Sequence, residues 1–410
     1  MARAEANFWQ QGWGLIQFLD TARTGLLGLL GVNANVLIWA ADEEDEEGSH
    51  CLAALMTRAA TGGQVDAMRL LLDHPSATPA LLMQTTSDGL SPLILAAQGG
   101  HVDVMRLLLD HPSADAEAMV MYTNNAGWNA LIGAAEEGHV EAMRVLLDHP
   151  SADAAEMMMH ADGDGWTAFG WAAQGGHVDA MHLLLDHPSA DSEALLMRTN
   201  DHGLTALMEA AGEGHVEAMR LMLFHSSADA AIMMLPDDQG VTALMEATMF
   251  GRVEAMRLLL DHPSADAAAT IALRNSTGDC ALTMAAQFAA HHSSPGSWQP
   301  LLLLLRHVAS EPLPSAAQRA RMTKVLETLC QSQHFKALLG SDQPDDVHDE
   351  CIRLLLAHGA CTARPWCDNP VVSRIIHAQF NNDAAQLTRV PQLLNEAVVG
   401  FVFTWQQQQQ

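Results

Sequence analysis

HVDVMRLLLDHPSAD occupies His101 to Asp115, and close copies of this stretch recur along the chain. The glycine before each copy advances by 37 or 38 residues, at Gly63, Gly100, Gly138, Gly176, Gly214 and Gly251. A period in this range is typical of stacked repeat units rather than of one closed globule. Each unit of such an array contacts only its neighbours, so function is sought on the surface before any interior pocket.

One unit, from Asp88 to Asn124, predicts a pair of helices. Ser91 suits the N-cap of the first helix and Pro92 its first position, because proline lacks the N–H that this position leaves unbonded. Gly99 and Gly100 end that helix. The second helix follows His101, and its apolar residues fall on one stripe, at Val102, Met105, Leu108 and Leu109.

The stretch from Pro112 to Asn124 predicts a short extra helix. Ser113 is the expected cap of that helix, which carries Met119 and Met121. Its methionines either offer an exposed, adaptable surface or fill the groove beside the turn, and we favour filling.

These residues resemble the ankyrin repeat, whose unit reads roughly D-x-x-G-x-T-P-L-H-x-A-A-x-x-G-H-x-E-V-V-K-x-L-L. The chain matches it with DGLSPLILAAQGGHVDVMRLLL from Asp88 and DGWTAFGWAAQGGHVDAMHLLL from Asp164. The resemblance covers Cys51 to about Ala286 and implies an all-α solenoid of stacked αα-hairpins with projecting turns, called fingers. The family's histidine is replaced here by Ile94, Ile132, Gly170, Met208 and Met245, so other groups must make the hydrogen bonds of the finger.

Four parts follow from this pattern. Residues 1–48 are expected to form capping helices or a degenerate repeat, 49–286 regular repeats, 287–403 irregular ankyrin-like repeats and a cap, and 404–410 a disordered glutamine tail. The apolar stretch 25–41 is short for a membrane span and holds glycines and asparagines. We expect a buried hairpin there, with a membrane helix as the alternative.

The chain carries 49 acidic and 20 basic residues, a formal charge of −29. This charge repels phosphate backbones, so nucleic acid is an unfavourable partner and a basic protein or peptide is the favoured one. The alternative is that the charge only keeps a leucine- and methionine-rich array in solution. The six cysteines are scattered, with no CxxC, which favours a reducing compartment. We therefore expect an intracellular monomer, cytoplasmic or nuclear, without a secretory leader and away from membranes.

Signatures of chemistry are missing from the sequence. It contains no GxxxxGK, HExxH or GxSxG motif, and the cysteines and histidines near the C-terminus match no common zinc spacing. The histidines recur with the repeat, which indicates a role at helix ends or turns. We expect no catalytic residue, no metal site and no cofactor.

The positions that vary between repeats are more informative. The resemblance places them on fingers and in a concave groove, where partners of the family bind. We select Trp128, Trp166, Trp171, Glu209, Glu213, Glu246, Met249 and Phe250 as candidate contact residues. Trp128 and Trp166 are expected on adjacent fingers as one aromatic strip, because neighbouring helices pack about 8–10 Å apart. Trp171 is expected just inside the strip, and Glu209, Glu213 and Glu246 are expected to continue it as an acidic patch. Tryptophan often dominates binding energy, which favours a contact role for the strip. The alternative is stacking between fingers without any partner.

Three functions compete. The first is a non-enzymatic scaffold that binds a protein or peptide partner through these residues. The second is an adaptor whose irregular part, about Glu311 to Phe403, docks on a larger machine such as a ubiquitin ligase; it rests on analogy. The third is an enzyme in the irregular segments that uses Cys330 or Cys367 as a nucleophile, for which lone cysteines are weak support.

Overall fold

The computed structural model describes residues 46–73, 78–292 and 296–309. It also describes Arg321, Met322, Lys324, Val325, Thr328, Leu329, Glu350, Cys351, Leu354 and Leu355. The expectations for residues 1–45, for most of the segment after residue 309 and for the glutamine tail lie outside the described residues. The same holds for Cys330 and Cys367.

The described part of the chain is a succession of helices. In chain order they are α1 (Glu46–Thr61), α2 (Val65–Leu72), α3 (Pro79–Leu82), α4 (Pro92–Gln98), α5 (Val102–Leu109), α6 (Ala116–Met121), α7 (Ala130–Glu136), α8 (Val140–Leu147), α9 (Ala154–Met159), α10 (Ala168–Gln174), α11 (Val178–Asp186), α12 (Ser192–Met197), α13 (Ala206–Glu213), α14 (Val216–Phe224), α15 (Ala243–Met249), α16 (Val253–Leu260), α17 (Ala267–Ala272), α18 (Ala281–His291) and α19 (Gln299–Ala309). A 3₁₀ turn, Ala230–Met233, stands where the other repeats have the short third helix.

The described residues form no β-strand, only isolated bridges between Ala161 and Thr167 and between Thr199 and Thr205. Each repeat consists of a finger, a first helix, a second helix and a short third element. The predicted all-α solenoid of stacked αα-hairpins is therefore confirmed. The predicted extra helix is present in the described repeats except one, where a 3₁₀ turn takes its place.

The helices group into two compact units. One contains the described residues up to Ala206 together with His225–Ser227, and the other contains Leu207–Phe224 and the described residues from Ala228 onward. In the first unit, the first helices α1, α4, α7 and α10 pack in that order, as do the second helices α2, α5, α8 and α11. In the second unit α15 packs on α18, while α14, α16 and α19 follow one another.

The first helix forms as its sequence predicts. The Ser91 hydroxyl accepts a hydrogen bond from the backbone N–H of Ile94 at 3.3 Å, and Pro92 is the first helical residue. Ala96 and Ala97 are buried, and these small side chains allow close packing against the neighbouring first helices. Gly100 turns the chain with a φ of +66°, a conformation that favours glycine.

The apolar stripe of the second helix differs from the predicted one. Val104, Met105, Leu108 and Leu109 are buried in α5, whereas Val102 is only half-buried. Val102 is the first helical residue and lies at the edge of the packed face. The buried set thus repeats at i, i+1, i+4 and i+5, which is equally one face of a helix.

The cap of the short third helix was also mispredicted. Asp115, not Ser113, is the N-cap of α6, and its Oδ1 accepts the N–H of Ala118 at 3.1 Å. Equivalent bonds form at Asp153, Asp191 and Asp266. Ser113 instead donates its backbone N–H to Nδ1 of His111 at 3.2 Å, which tightens the turn after the second helix.

The methionines of the third elements mainly fill space. Met119, Met157, Met158 and Met233 are at most 3% exposed, while Met121 is half-buried. Burying one such side chain contributes roughly 1.5–3 kcal/mol. The added helix therefore stabilises the array by covering apolar surface beneath each finger.

Candidate functional site

The fingers are held by an aspartate or asparagine three residues before the finger glycine. Asp162 Oδ1 accepts the backbone N–H groups of Asp164 at 3.0 Å and of Trp166 at 2.8 Å. The same pair of hydrogen bonds is accepted by the side-chain oxygens of Asn124, Asn200, Asp237 and Asn275. These side chains supply hydrogen bonds to the finger in place of those that the histidine of the ankyrin pattern, absent here, would make.

Neighbouring fingers are also bonded to one another through their backbones. Gly163 donates its N–H to the oxygen of Ala126 at 2.8 Å, and Asp201 donates to the oxygen of Asp164 at 3.0 Å. Gly165 has a φ of +85°, and a Cβ there would lie 2.6 Å from the backbone nitrogen of Asp201. The fingers thus present their side chains from a fixed backbone.

The recurring histidines serve helix ends and turns, as predicted. His101 Nε2 lies 3.0 Å from the oxygen of Thr61, the last residue of α1. His111, His149, His187, His225 and His262 each accept the N–H of the residue two positions later through Nδ1. These contacts give both recurring histidine positions a structural role.

The aromatic residues of the first unit pack differently from the expected strip. Among the described residues the ring contact of Trp128 is with Trp171, at a centroid distance of 4.9 Å and an interplanar angle of 57°, and not with Trp166. Trp166 lies over Gly170, where a Cβ would overlap its Cε3 atom. The position equivalent to Gly170 after Trp128 is Ile132, whose bulk prevents the same placement.

Trp171 is fixed by a buried carboxylate. Its indole N–H donates to Asp162 Oδ2 at 2.8 Å, so Asp162 holds both the finger backbone and this ring. Trp128, Trp166 and Trp171 are all half-buried and keep part of each ring exposed. The sequence did not reveal the role of Asp162, whose only signal was its place at the start of a finger.

The three candidate glutamates of the second unit lie on first helices, Glu209 and Glu213 on α13 and Glu246 on α15. Burial raises the pKa of Glu209, and the charge of Glu213 adds to the effect. Burial raises the pKa of Glu246 to about 7, with the charges of Glu209 and Asp237 acting in the same direction. Within the described residues, neither Glu209 nor Glu246 has an ion pair or a hydrogen bond that stabilises its charged form.

Glu213 differs from these two carboxylates. It is exposed, and its Oε2 lies 3.6 Å from Nη2 of Arg252. Arg252 stands at the repeat position of His101 and donates through Nε to the backbone oxygen of Gly212 at 2.8 Å. Of the three candidate glutamates, Glu213 is therefore paired with an arginine, whereas Glu209 and Glu246 have no such partner among the described residues.

Met249 and Phe250 stand at the C-terminal end of α15, the helix that carries Glu246, and their apolar side chains are exposed. Met249 is 42% exposed and Phe250 is 52% exposed. A Cβ built on Gly212 would lie 3.5 Å from Phe250 Cδ2 and 3.6 Å from Glu246 Oε2, so the ring and the carboxylate both lie beside Gly212 of α13. Sequence reasoning missed Gly212, although Gln98, Glu136 and Gln174 at the equivalent position mark it as an exception.

The described residues offer no other chemistry. They contain no group of three histidine, cysteine, aspartate or glutamate side chains placed to hold a metal ion. Cys280 and Cys351 are free and buried. Across the described helices, none has the length and apolar character needed to cross a membrane.

Comparison with known families matches the chain to ankyrin repeats. A model described as "Ankyrin repeats (3 copies)" matches residues 33–119, 55–157 and 151–234, and one described as "Ankyrin repeat" matches 239–271. The chain belongs to the ankyrin repeat family. Within the predicted range of regular repeats, 49–286, the ankyrin matches leave out residues 235–238 and 272–286.

A solved ankyrin structure is similar to this chain. It is the crystal structure of the ankyrin repeat domain of Bcl-3, described as a unique member of the IkappaB protein family, with 23% sequence identity and a TM-score of 0.43. The match covers 56% of this chain and 92% of that one. A search of curated proteins gave no match.

Ankyrin repeats are generally non-enzymatic modules of protein–protein interaction, so the repeats of this chain imply a protein partner.

Proposed function

We propose that this ankyrin repeat chain is a non-enzymatic scaffold that binds a protein or peptide partner, basic where it contacts the repeats. The contact is made through finger and first-helix side chains. The observation that carries this proposal is the pair Glu209 and Glu246, two half-buried carboxylates without a cation among the described residues.

Glu209 and Glu246 impose an energetic cost on the free protein. A carboxylate that loses water contact without gaining a cation or a hydrogen bond is destabilised in its charged form. The pKa of Glu246, about 7, is the measure of that cost. A lysine or arginine from a partner would offset it, and the formal charge of −29 attracts such a partner from a distance.

The apolar residues beside the pair provide the rest of the contact. Met249 and Phe250 are large side chains left largely exposed at the end of α15. Exposed apolar groups rimmed by polar ones are typical of interaction sites. We expect the partner segment to place an apolar residue on them.

The tryptophans form a second proposed contact surface, in the first unit. Trp171 is held by its hydrogen bond to Asp162 and packs against the tilted ring of Trp128, so little side-chain entropy is lost when a partner packs on the exposed part of these rings. Trp166 projects from the next finger. The loss of binding on truncation of these rings would be about 2 kcal/mol or more where one acts as an anchor.

The test is affinity capture from the source cell on immobilised full-length chain, followed by mass spectrometry. The Glu209→Gln/Glu246→Gln variant should lose the captured partner. Glu217→Gln/Glu254→Gln is the matched control, because it removes the same charge from second helices where Arg220 and Arg257 already pair with these residues. Trp128→Ala/Trp166→Ala tests the other surface in parallel.

Equal recovery on the wild type and on both test variants, with each variant folded, would contradict the proposal. Recovery lost equally on the Glu217→Gln/Glu254→Gln control would show that only total charge matters and would also contradict it.

A further inference from the structure

The contact between Trp128 and Trp171 is not required for the repeats to stack. The position of Trp128 is occupied in other repeats by Leu90, Leu204 and Val241, and that of Trp171 by Leu95, Gly133, Glu209 and Glu246. Helix α1 packs on α4, and α15 on α18, without a pair of tryptophans. The packing of the array therefore does not explain why two rings meet at this place.

The two rings form a corner, which we call the tryptophan corner. Their centroids lie 4.9 Å apart and their planes are inclined by 57°, so the ring faces meet at an angle. Both side chains are half-buried and keep part of each ring exposed. The indole N–H of Trp171 donates to Asp162 at 2.8 Å, which fixes the direction of this ring.

The tryptophan corner attracts a positive charge. The face of an indole ring carries negative electrostatic potential, and tryptophan binds cations better than tyrosine or phenylalanine does. The hydrogen bond to the Asp162 carboxylate polarises the indole of Trp171 and strengthens this attraction. In the described repeats, no arginine or lysine makes a ring contact with either tryptophan. The formal charge of −29 favours a cation that comes from a partner.

The nearby carboxylate has no further hydrogen bond to offer that cation. Asp162 Oδ1 accepts the N–H groups of Asp164 and Trp166, and its Oδ2 accepts that of Trp171. Asp162 is also only 8% exposed. A free ammonium or a guanidinium group would lose water from its N–H donors on the rings without gaining a bond from this carboxylate. A trimethylated ammonium keeps the positive charge and has no donor to satisfy, so it suits the corner better.

We propose that the tryptophan corner binds a trimethylated lysine side chain of the partner, with the methyl groups against the faces of Trp128 and Trp171. This inference rests on the proposed function and specifies the residue that the partner places on the tryptophan surface. A choline headgroup carries the same ammonium, but its phosphate would be repelled by a chain with a formal charge of −29.

The experiment is an NMR titration of the full chain labelled with ¹⁵N at the tryptophan indoles. The probes are blocked peptides, acetyl-Gly-Xaa-Gly-amide, in which Xaa is trimethyllysine, lysine or the neutral isostere with carbon in place of the ammonium nitrogen. Phosphocholine is the fourth probe. The Trp171 signal, assigned from a Trp171→Leu variant, and the methyl protons of the peptides report binding.

The trimethyllysine peptide should shift the Trp171 signal in a saturable way, and its methyl protons should move upfield because they lie over ring faces. The lysine peptide and the neutral isostere should each bind at least about tenfold more weakly. Phosphocholine should also bind more weakly than the trimethyllysine peptide.

Two variants remove one ring each and keep a residue that the array already accepts. Trp128→Leu introduces the residue of Leu90 and Leu204, and Trp171→Leu that of Leu95. Each should bind the trimethyllysine peptide at least about tenfold more weakly. The matched control is Phe224→Leu, which removes a 55% exposed aromatic ring from α14 and should keep the affinity within about twofold. Circular dichroism shows whether each variant is folded.

Equal binding of the trimethyllysine and lysine peptides would overturn the inference, and so would equal binding of the neutral isostere. An unchanged affinity in folded Trp171→Leu, or phosphocholine binding as tight as that of the trimethyllysine peptide, would do the same. These results are separable from the proposed function. Cellular capture that depends on the glutamates or the tryptophans would still support a scaffold if the peptides showed no preference for methylation. Capture that depends on neither would remove the scaffold proposal, whatever the peptides do.

Discussion

Nε2 of His177 lies 2.8 Å from the backbone oxygen of Glu136, the last residue of the first helix in the preceding repeat. Carbonyl groups at a helix C-terminus have no partner within the helix, so this bond satisfies one of them and joins two repeats. Arg252 makes the equivalent bond to Gly212 through its guanidinium, also at 2.8 Å. One position thus connects neighbouring hairpins with either of two side chains.

Replacing His177 with alanine should lower the free energy of unfolding by about 1–2 kcal/mol, because a helix-end carbonyl loses its partner. His177→Arg should keep most of the stability, since Arg252 already makes this bond in another repeat. Urea denaturation followed by circular dichroism measures both. The control is His182→Ala, an exposed residue on α11, which should change stability by less than about 0.5 kcal/mol. A His177→Arg variant as unstable as His177→Ala would contradict this role.

The finger glycines provide a matched pair of substitutions. Gly165→Ala places a methyl group 2.6 Å from the nitrogen of Asp201, at a φ of +85°. Gly278→Ala meets a similar φ of +79° but has no described atom within 4 Å. Gly278→Ala should therefore cost only the conformational strain of about 1–2 kcal/mol, and Gly165→Ala should cost clearly more. Thermal unfolding of the two variants compares them, and equal losses would show that contact between fingers adds no stability.

The stability of the second unit should depend on pH through Glu246. Its pKa is raised from 4.5 when unfolded to about 7 when folded, so the folded state holds the proton more tightly. The stability from this proton is fully present below about pH 4.5 and is lost as the pH rises through 7. Glu246→Gln should therefore be more stable than the wild type at pH 8 by about 1 kcal/mol, after allowance for solvent screening.

The difference between the wild type and Glu246→Gln should shrink toward pH 5 in urea denaturation. Glu254→Gln, an exposed residue paired with Arg257, is the control and should show no such trend. A difference that is independent of pH, or that favours the wild type at pH 8, would show that folding does not raise the pKa of Glu246.

Asp162 should be the most sensitive single residue of the tryptophan surface. Asp162→Asn keeps an acceptor for the backbone of its finger but turns an amide toward the indole N–H of Trp171, which should cost about 1–2 kcal/mol. Asp162→Ala removes all three bonds and should cost more than the asparagine variant. Denaturation, together with the NMR shift of the Trp171 indole proton, measures this order. A Trp171 signal unchanged in Asp162→Asn would contradict the hydrogen bond.

Most of the fold was predictable from the sequence because each local signal agreed with the repeat. Ser91, Pro92 and the glycine pair at the end of α4 fix the first helix through their own backbone preferences. The predictions that failed selected the wrong one of two residues close together in the sequence. Asp115 caps α6 instead of Ser113 because Asp115 directly precedes the first helical residue, whereas Ser113 lies in the preceding turn, where its backbone N–H bonds to His111.

The candidate site was predictable as a set of positions and not as a set of contacts. The sequence identified Trp128, Trp166 and Trp171 as candidates. Which rings make contact depends on the residue four positions after each finger tryptophan, which is isoleucine after Trp128 and glycine after Trp166. The sequence also named the three glutamates, but only the structure separates Glu213, which Arg252 neutralises, from the other two. Such contacts join residues from different repeats, and the repeat pattern specifies neither their distances nor their partners.

The proposed function depends most on Glu209 and Glu246 acting as the receptor for a basic segment. The direct test is calorimetric titration of the captured partner against the wild type and against Glu209→Gln/Glu246→Gln. We predict that the variant binds at least about tenfold more weakly, a loss of about 1.4 kcal/mol, and that its affinity depends less on salt. An unchanged Kd and an unchanged salt dependence in the folded variant would contradict the central claim.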